Sequence, residues 1–245
     1  SFEVIADYTD GLMQMDADGA AIPALAETYD ISEDGKTYTF HLRDAKWSNG
    51  DAVTAADFVF GWHRAVDPAT ASEYSYMLSD IGQIVNAAEI IAGEKPVTDL
   101  GVSAVDDKTL EVQLNVPVSY FLSLMYFPTF YPVNEAFYNS CADTFGTSPD
   151  TVLSNGAFKL TDYQPAATAF TLEKNPDYYD ADKIALDSLA YQVIKDSQQA
   201  LMSYQTGALD MTLLNGEQVD QVKDDPEFTS VGAGYLWYIS PNIGS

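Results

Sequence analysis

Residues 25–62, LAETYDISEDGKTYTFHLRDAKWSNGDAVTAADFVFGW, carry the clearest fold signal in this chain. Apolar and polar side chains alternate across residues 37–42, which predicts a strand with one buried face. Asp34-Gly35 just before it has the composition of a turn, because glycine tolerates positive φ at little steric cost. The face expected to be buried carries Tyr38, Phe40 and Leu42. The first half of the stretch therefore predicts a β-hairpin.

The second half of the stretch predicts an amphipathic helix. Asn49-Gly50 marks a turn, and Thr54 then stands at an N-cap position with Asp57 three residues later, as in a capping box. Asp67-Pro68 ends the helix, because the residue before proline is disfavoured in helical conformation. The apolar positions at helical spacing are Phe58, Val59, Trp62, Ala65 and Val66.

Residues 102–114 repeat the pattern of the first hairpin. Asp106-Asp107-Lys108-Thr109 parallels the turn at residues 32–37, and Leu110, Val112 and Leu114 then alternate with polar residues. We expect the two hairpins to lie in one sheet.

Helices and strands are expected along the rest of the chain. Helices are predicted at residues 2–9, 23–27, 81–92, 121–126, 134 onward, 196–207 and 217–223. Strands are predicted at residues 154–160 paired with 170–174, and at 189–194, 209–213 and 235–239. The strand–helix–strand order over residues 189–213 predicts a βαβ unit with a parallel pair.

Composition excludes several classes of protein. Eleven Lys and Arg against 37 Asp and Glu give a formal net charge of −26, which disfavours contact with nucleic-acid phosphates or anionic lipid. A solvated acidic surface, attraction of cationic ligands and adaptation to high salt all remain open as the meaning of this charge. Cys141 is the only cysteine, so the chain forms no intrachain disulfide.

Motifs for catalysis or cofactor binding are absent from the sequence. It contains no GxSxG, GxxxxGK[ST], HExxH or paired CxxC pattern, and only His41 and His63 are available as histidine ligands. We therefore expect a protein without cofactor or metal that is not an enzyme. A hydrolytic or metal-dependent site assembled by long-range contacts remains an alternative.

Several ordered segments resemble one protein family. SEDGKTYTFHLR (32–43), DAKWSNGD (44–51) and VTAADFVFGW (53–62) closely resemble the signature of the extracellular solute-binding proteins of family 5. These proteins are the peptide-binding components of oligopeptide and dipeptide ABC importers. The resemblance continues through TDLGVSAVDDKTLEVQL (98–114), NGAFKL (155–160), EKNPDYYD (173–180) and YQTGALDMT (204–212).

The resemblance implies a mixed α/β fold, the type II lobe of a periplasmic binding protein with an inserted α+β domain. Residues 1–9 and 134–245 would form part of the first lobe, and residues 10–133 the smaller inserted domain. Family members continue into a second lobe that this sequence lacks. The chain also begins inside a predicted helix, so we expect it to be part of a longer polypeptide.

The resemblance also implies five peptide-binding residues. Tyr74 matches a family tyrosine that reaches toward bound peptide, although a loop aromatic folded back on the core is the alternative. Asn155 lies near the hinge side of the cleft, although Asn-Gly is also turn chemistry before a strand. Trp237, Tyr238 and Asn242 match a strand that borders the cleft, although Trp237 is equally suited to a core.

The function implied is that of an extracytoplasmic receptor, lipid-anchored in its precursor and monomeric. Such a receptor holds a short peptide as an added strand between two closing lobes and presents it to the membrane permease of an ABC importer. A peptide or small-ligand sensor of the same family remains an alternative. Because the second lobe meets the peptide's amino terminus, we expect this chain alone to fold but to bind peptide poorly.

Overall fold

The computed structural model describes residues 2–230 of the 245-residue chain. Contacts between residues divide the chain into two compact units, Ser1–Gln192 and Val193–Ser245. The α-helices of the first unit are α1 (Phe2–Tyr8), α2 (Ala55–Val66), α3 (Ala87–Ile91), α4 (Phe121–Leu124) and α5 (Glu135–Cys141). Its strands are β1 (Met13–Met15), β2 (Ala21–Pro23), β3 (Ala26–Ile31), β4 (Thr37–Leu42), β5 (Val102–Asp106), β6 (Thr109–Gln113), β7 (Phe158–Asp162), β8 (Ala169–Lys174) and β9 (Ser188–Gln192).

Short turns of 3₁₀- or π-helix connect these elements. They are the π-turn Met77–Ile81 and the 3₁₀ turns Val97–Asp99, Pro128–Phe130, Ala142–Thr144, Pro149–Thr151 and Ala181–Lys183.

The strands of the first unit form three antiparallel sheets. A two-stranded sheet pairs β1 with β2, a four-stranded sheet has the order β3-β4-β6-β5, and a three-stranded sheet has the order β7-β8-β9. The second of these unites the two predicted hairpins, as expected, with β4 and β6 paired in its centre. The predicted pairing of β7 with β8 is also confirmed.

The core forms where α2 packs against the four-stranded sheet. The three β4 residues predicted to face inward are buried, whereas the alternate residues are partly exposed. Trp62 is fully buried, and its indole N–H donates to the Phe130 carbonyl at 2.9 Å. The predicted cap is present, since the Asp57 carboxylate accepts the Thr54 backbone N–H at 2.8 Å.

Gly61 lets α2 approach the segment that follows the Pro128–Phe130 turn. A Cβ at Gly61 would lie 2.7 Å from the Tyr131 carbonyl oxygen, closer than real Cβ contacts. The neighbouring Val133 N–H donates to the Asp57 carbonyl at 3.0 Å. This close backbone contact positions residues 131–134 against α2.

The predicted helix at residues 23–27 is wrong. β2 ends at Pro23 and β3 begins at Ala26. The N–H groups of Ala24 and Ala26 both donate to the Leu12 carbonyl, at 3.1 and 3.0 Å. These bonds to Leu12 satisfy the donors without a helix, so the contact between the two segments overrides the local helix signal.

The predicted helix at residues 81–92 is much shorter than expected, since α3 covers only Ala87–Ile91. Ile84 forms a β-bridge with Leu114, and the Val85 N–H donates to the Gln113 carbonyl at 2.9 Å. Gln83 and Asn86 have positive φ, 55° and 65°. The apolar residues do recur at helical spacing, but residues 84 and 85 pair with the end of β6, so the first half of the segment is not helical.

The second unit contains α6 (Ser197–Gln205) and α7 (Gly216–Val222), both of which were predicted. The carboxylate of Asp196 accepts the Gln199 N–H at 2.7 Å, which confirms its capping role. The predicted strand at residues 209–213 is wrong, and with it the parallel βαβ unit, because this segment is irregular. The predicted strand at residues 235–239 lies outside the described residues.

The division of the chain into a partial lobe and an inserted domain stays a prediction. Residues 10–133 and the part of the expected lobe up to Gln192 both belong to the first unit.

Candidate functional site

Tyr74 lies in the connection after α2, within a cluster of aromatic rings. Its ring centroid is 5.1 Å from that of Phe2, 5.6 Å from that of Phe127 and 6.1 Å from that of Tyr76. The side chain of Tyr74 is partly exposed, and among residues 2–230 its hydroxyl has no hydrogen-bond partner. The ring is therefore packed among aromatic neighbours, while its hydroxyl is left unbonded by the described part of the chain.

A pocket of about 400 Å³ adjoins Tyr74 in the first unit. Its walls come from α1, from α2 and from the segments at residues 128–137 and 145–153. Most of these side chains are apolar or aromatic, which is typical of small-molecule sites of this size.

Asn155 is buried and bonds to the main chain at a distant point in the sequence. Its Oδ1 accepts the Asp10 N–H at 2.8 Å, and its Nδ2 donates to the Asp10 carbonyl at 3.4 Å. The backbone N–H groups of Asn155 and Gly156 both donate to the Tyr8 carbonyl at 3.1 Å. Asn155 thus joins the end of α1 to the start of β7, and its predicted peptide contact stays a prediction.

Asp10 lies at the centre of a polar cluster at the same junction. Its Oδ2 accepts the hydroxyl hydrogens of Tyr178 and Tyr179, each at 2.9 Å, and the Arg43 guanidinium stacks 4.3 Å from the Tyr179 ring centroid. Burial raises the pKa of the Asp10 carboxyl from 3.8 to about 6, against the opposing effects of both hydroxyls and Arg43. Burial and then the Asp10 charge raise the pKa of both tyrosines.

The structure brings together only part of the predicted site. Tyr74 contacts Phe2 and lies on the pocket, whereas Asn155 is not among the pocket's lining residues. Trp237, Tyr238 and Asn242 lie outside the described residues.

Neither a metal site nor a membrane-spanning helix is found within residues 2–230. No group of three or more His, Cys, Asp or Glu side chains there is placed to hold a metal ion. No helix in that part of the chain is both long enough and apolar enough to cross a bilayer.

Sequence reasoning missed the side chains that surround Tyr74 and Asp10. Phe2 and Phe127 are 125 positions apart, and only folding shows that both hold Tyr74. No functional role was predicted for Asp10 or Arg43. The adjacent Tyr178-Tyr179 pair within the quoted segment EKNPDYYD was the one local signal that a polar group lay nearby.

Relatives of known type match most of this chain. It is 42% identical over 207 residues to the periplasmic oligopeptide-binding protein OppA of Escherichia coli, covering 84% of this chain and 37% of that protein. It is 39% identical over 222 residues to the probable deoxycholate-binding periplasmic protein YgiS of the same organism, covering 90% of this chain and 41% of that protein. The chain thus spans about two fifths of the length of these relatives.

Solved structures share the fold. The structure of Listeria monocytogenes OppA bound to peptide superimposes with a TM-score of 0.85 at 42% identity, covering 92% of this chain and 44% of that one. This agreement confirms the mixed α/β fold of a periplasmic peptide-binding protein over the matched part. The sequence profile of bacterial extracellular solute-binding proteins, family 5 Middle, matches residues 20–244. The chain belongs to the bacterial extracellular solute-binding proteins of family 5.

Proposed function

We propose that this chain forms part of an extracytoplasmic receptor that binds short peptides and delivers them to the membrane permease of an ABC importer. The observation that carries this proposal is the likeness to a peptide-bound OppA at 42% identity. The receptor acts as a monomer, without a cofactor and without nucleic acid, and a lipid anchor on its precursor holds it at the membrane.

Tyr74 is the proposed peptide contact with the most support among the described residues. Its hydroxyl has no partner within residues 2–230, and its ring packs against Phe2 and Phe127, so the hydroxyl can bond a peptide main-chain group without reordering the side chain. Trp237, Tyr238 and Asn242 are proposed as further contacts on the strength of the resemblance alone. Asn155 is proposed to act mainly by positioning the segments it joins.

Calorimetry of the full-length protein with a mixed set of tri- to pentapeptides tests this function. Tyr74→Phe removes one hydrogen bond and should weaken binding by about 1 kcal/mol, roughly fivefold in Kd. Tyr29→Phe, at a tyrosine on β3, is the matched control and should leave Kd unchanged. Absence of binding for every peptide in the set by a folded protein overturns the proposal.

The 245-residue polypeptide alone should bind the same peptides poorly, because a ligand enclosed from one side loses most of its contacts. Micromolar or tighter affinity for this polypeptide would contradict that expectation.

Mass spectrometry of material that co-purifies with the full-length protein separates the alternatives. A ladder of short peptides supports the receptor. A steroid acid would instead point to the ligand class in the name of YgiS. Turnover of a supplied substrate, with no bound ligand, would favour a hydrolase. A sensor would bind peptide but would not support its uptake.

A further inference from the structure

Among residues 2–230, Arg64, near the end of α2, is the only charged residue that lines the 400 Å³ pocket. The chain carries 37 acidic and 11 basic residues, so a pocket wall that includes one cation but no carboxylate from the described residues is unusual for this composition. The remaining wall is mostly apolar and aromatic, with uncharged polar side chains at Thr9, Thr70, Ser72, Thr129 and Asn134.

Arg64 has no anionic partner within the described part of the chain. No carboxylate of residues 2–230 lies within 4.0 Å of its nitrogens, and none of its N–H groups takes part in a hydrogen bond there. Its Nε atom is buried and has no acceptor among residues 2–230. A guanidinium beside apolar walls that lacks an anionic partner there is poorly compensated, so its N–H groups on the pocket side favour an incoming anion.

The guanidinium is held in place by aromatic rings. Its central carbon lies 4.0 Å from the ring centroid of Tyr138 and 5.4 Å from that of Phe145. Contact with these two rings restricts the position of the guanidinium, whose fork of N–H groups can bind a carboxylate through two parallel hydrogen bonds.

We propose that this pocket is a binding site for a small organic acid, a carboxylate carried on an apolar body. The Arg64 guanidinium pairs with the carboxylate, the nearby hydroxyls accept or donate further hydrogen bonds, and the apolar walls cover the body of the ligand. A volume of about 400 Å³ suits a ligand with one ring or a short aliphatic chain. The proposal does not depend on peptide binding, although Tyr74 is part of both surfaces.

The test uses 3-phenylpropionate and its neutral amide, 3-phenylpropanamide, with the full-length protein. Because Trp47 lines the pocket, tryptophan fluorescence can follow binding, and calorimetry gives an independent measurement. The acid should bind at least roughly tenfold more tightly than the amide, because a charge-assisted pair forms only with the acid. Equal affinity for the two, or no saturable binding of the acid, overturns the proposal without any variant.

Variants then assign the effect to Arg64. Arg64→Gln should lose the preference for the acid, Arg64→Lys should keep part of it, and Lys195→Gln removes an exposed positive charge elsewhere as the matched control. Circular dichroism and thermal unfolding establish that each variant is folded. A folded Arg64→Gln that binds the acid as wild type does contradicts the assignment. Peptide titrations of the same samples report separately on the proposed receptor function.

Discussion

The carboxylate of Asp10 is held by two tyrosine hydroxyls, with Arg43 and Asp180 as the nearest other charges that affect it. Its pKa is raised to about 6 in the folded chain, whereas the ordinary value is 3.8. The folded state therefore binds this proton more tightly than the unfolded state between these two pH values. The contribution of Asp10 to stability is full below pH 3.8 and is lost as the pH rises through about 6.

Asp10→Asn should remove this loss of stability at neutral pH. Relative to the variant, wild type should lose up to about 3 kcal/mol of unfolding free energy between roughly pH 4 and pH 7, at about 1.4 kcal/mol per pKa unit. Urea unfolding of both proteins across that range measures the difference. Asp34→Asn is the control, because the pKa of this exposed carboxyl is lowered and its contribution changes only at more acidic pH. A constant difference between wild type and Asp10→Asn at every pH would contradict the prediction.

At the scale of single residues, the sequence indicated which residues to consider as binding residues, but it did not predict their burial or their contacts. The resemblance singled out Tyr74 as a peptide contact; the structure shows a partly exposed side chain among aromatic rings, and the contact itself stays a prediction. That no carboxylate within residues 2–230 pairs with Arg64 could not be predicted, since it depends on which carboxylates folding leaves near it. The burial of Asn155 was equally hidden, because its partner is 145 positions away.

At the scale of elements, α2 depends on a close backbone crossing at Gly61. A methyl group there would meet the Tyr131 carbonyl at 2.7 Å, and a backbone atom cannot move aside as a flexible side chain can. Gly61→Ala should therefore cost about 1–3 kcal/mol of unfolding free energy, despite the higher helix propensity of alanine.

Gly216→Ala in α7 is the matched control, because nothing lies within 4 Å of the Cβ it would add. It should be neutral or stabilise by up to about 1 kcal/mol. Chemical denaturation of both variants measures the contrast. Equal unfolding free energies for the two variants would show that the crossing at Gly61 relaxes.

Helices and strands that follow from local sequence patterns were predicted well. Segments whose conformation depends on hydrogen bonds to another part of the chain were not. Both hairpins and α2 follow from period-2 or period-3.6 patterns with their own turns and caps. Residues 23–27 and 83–86 are not helical because their backbone bonds to residues around Leu12 and Gln113. Residues 209–213 alternate in polarity as a strand does, yet Met211 and Leu213 are 78% and 74% exposed.

At the scale of the whole molecule, the net charge of −26 should make stability depend on salt. The ion pairs found in residues 2–230 lie largely at the surface and contribute little, so repulsion among carboxylates dominates. Raising NaCl from about 0.1 M to 1 M shortens the screening length from about 10 Å to 3 Å. The unfolding free energy should then rise, on the order of 1 kcal/mol.

Thermal unfolding in NaCl measures this effect, with sucrose at matched osmolality as the uncharged control. The melting temperature should rise more in salt than in sucrose. A fall in melting temperature with added NaCl would mean that attractive ion pairs outweigh the repulsion.

The pairing of Asp10 with Asn155 has a consequence for how such a chain can change. The two residues are 145 positions apart, yet the Asp10 N–H and the Asn155 side chain are joined by a 2.8 Å bond. The chain segment between these two residues therefore begins and ends at the same place in the structure. A recombination event with breakpoints at these two sites would exchange the whole intervening segment between related genes while leaving the ends in register. Gene chimeras joined at these positions should therefore fold more often than chimeras joined at any other pair of sites nearby.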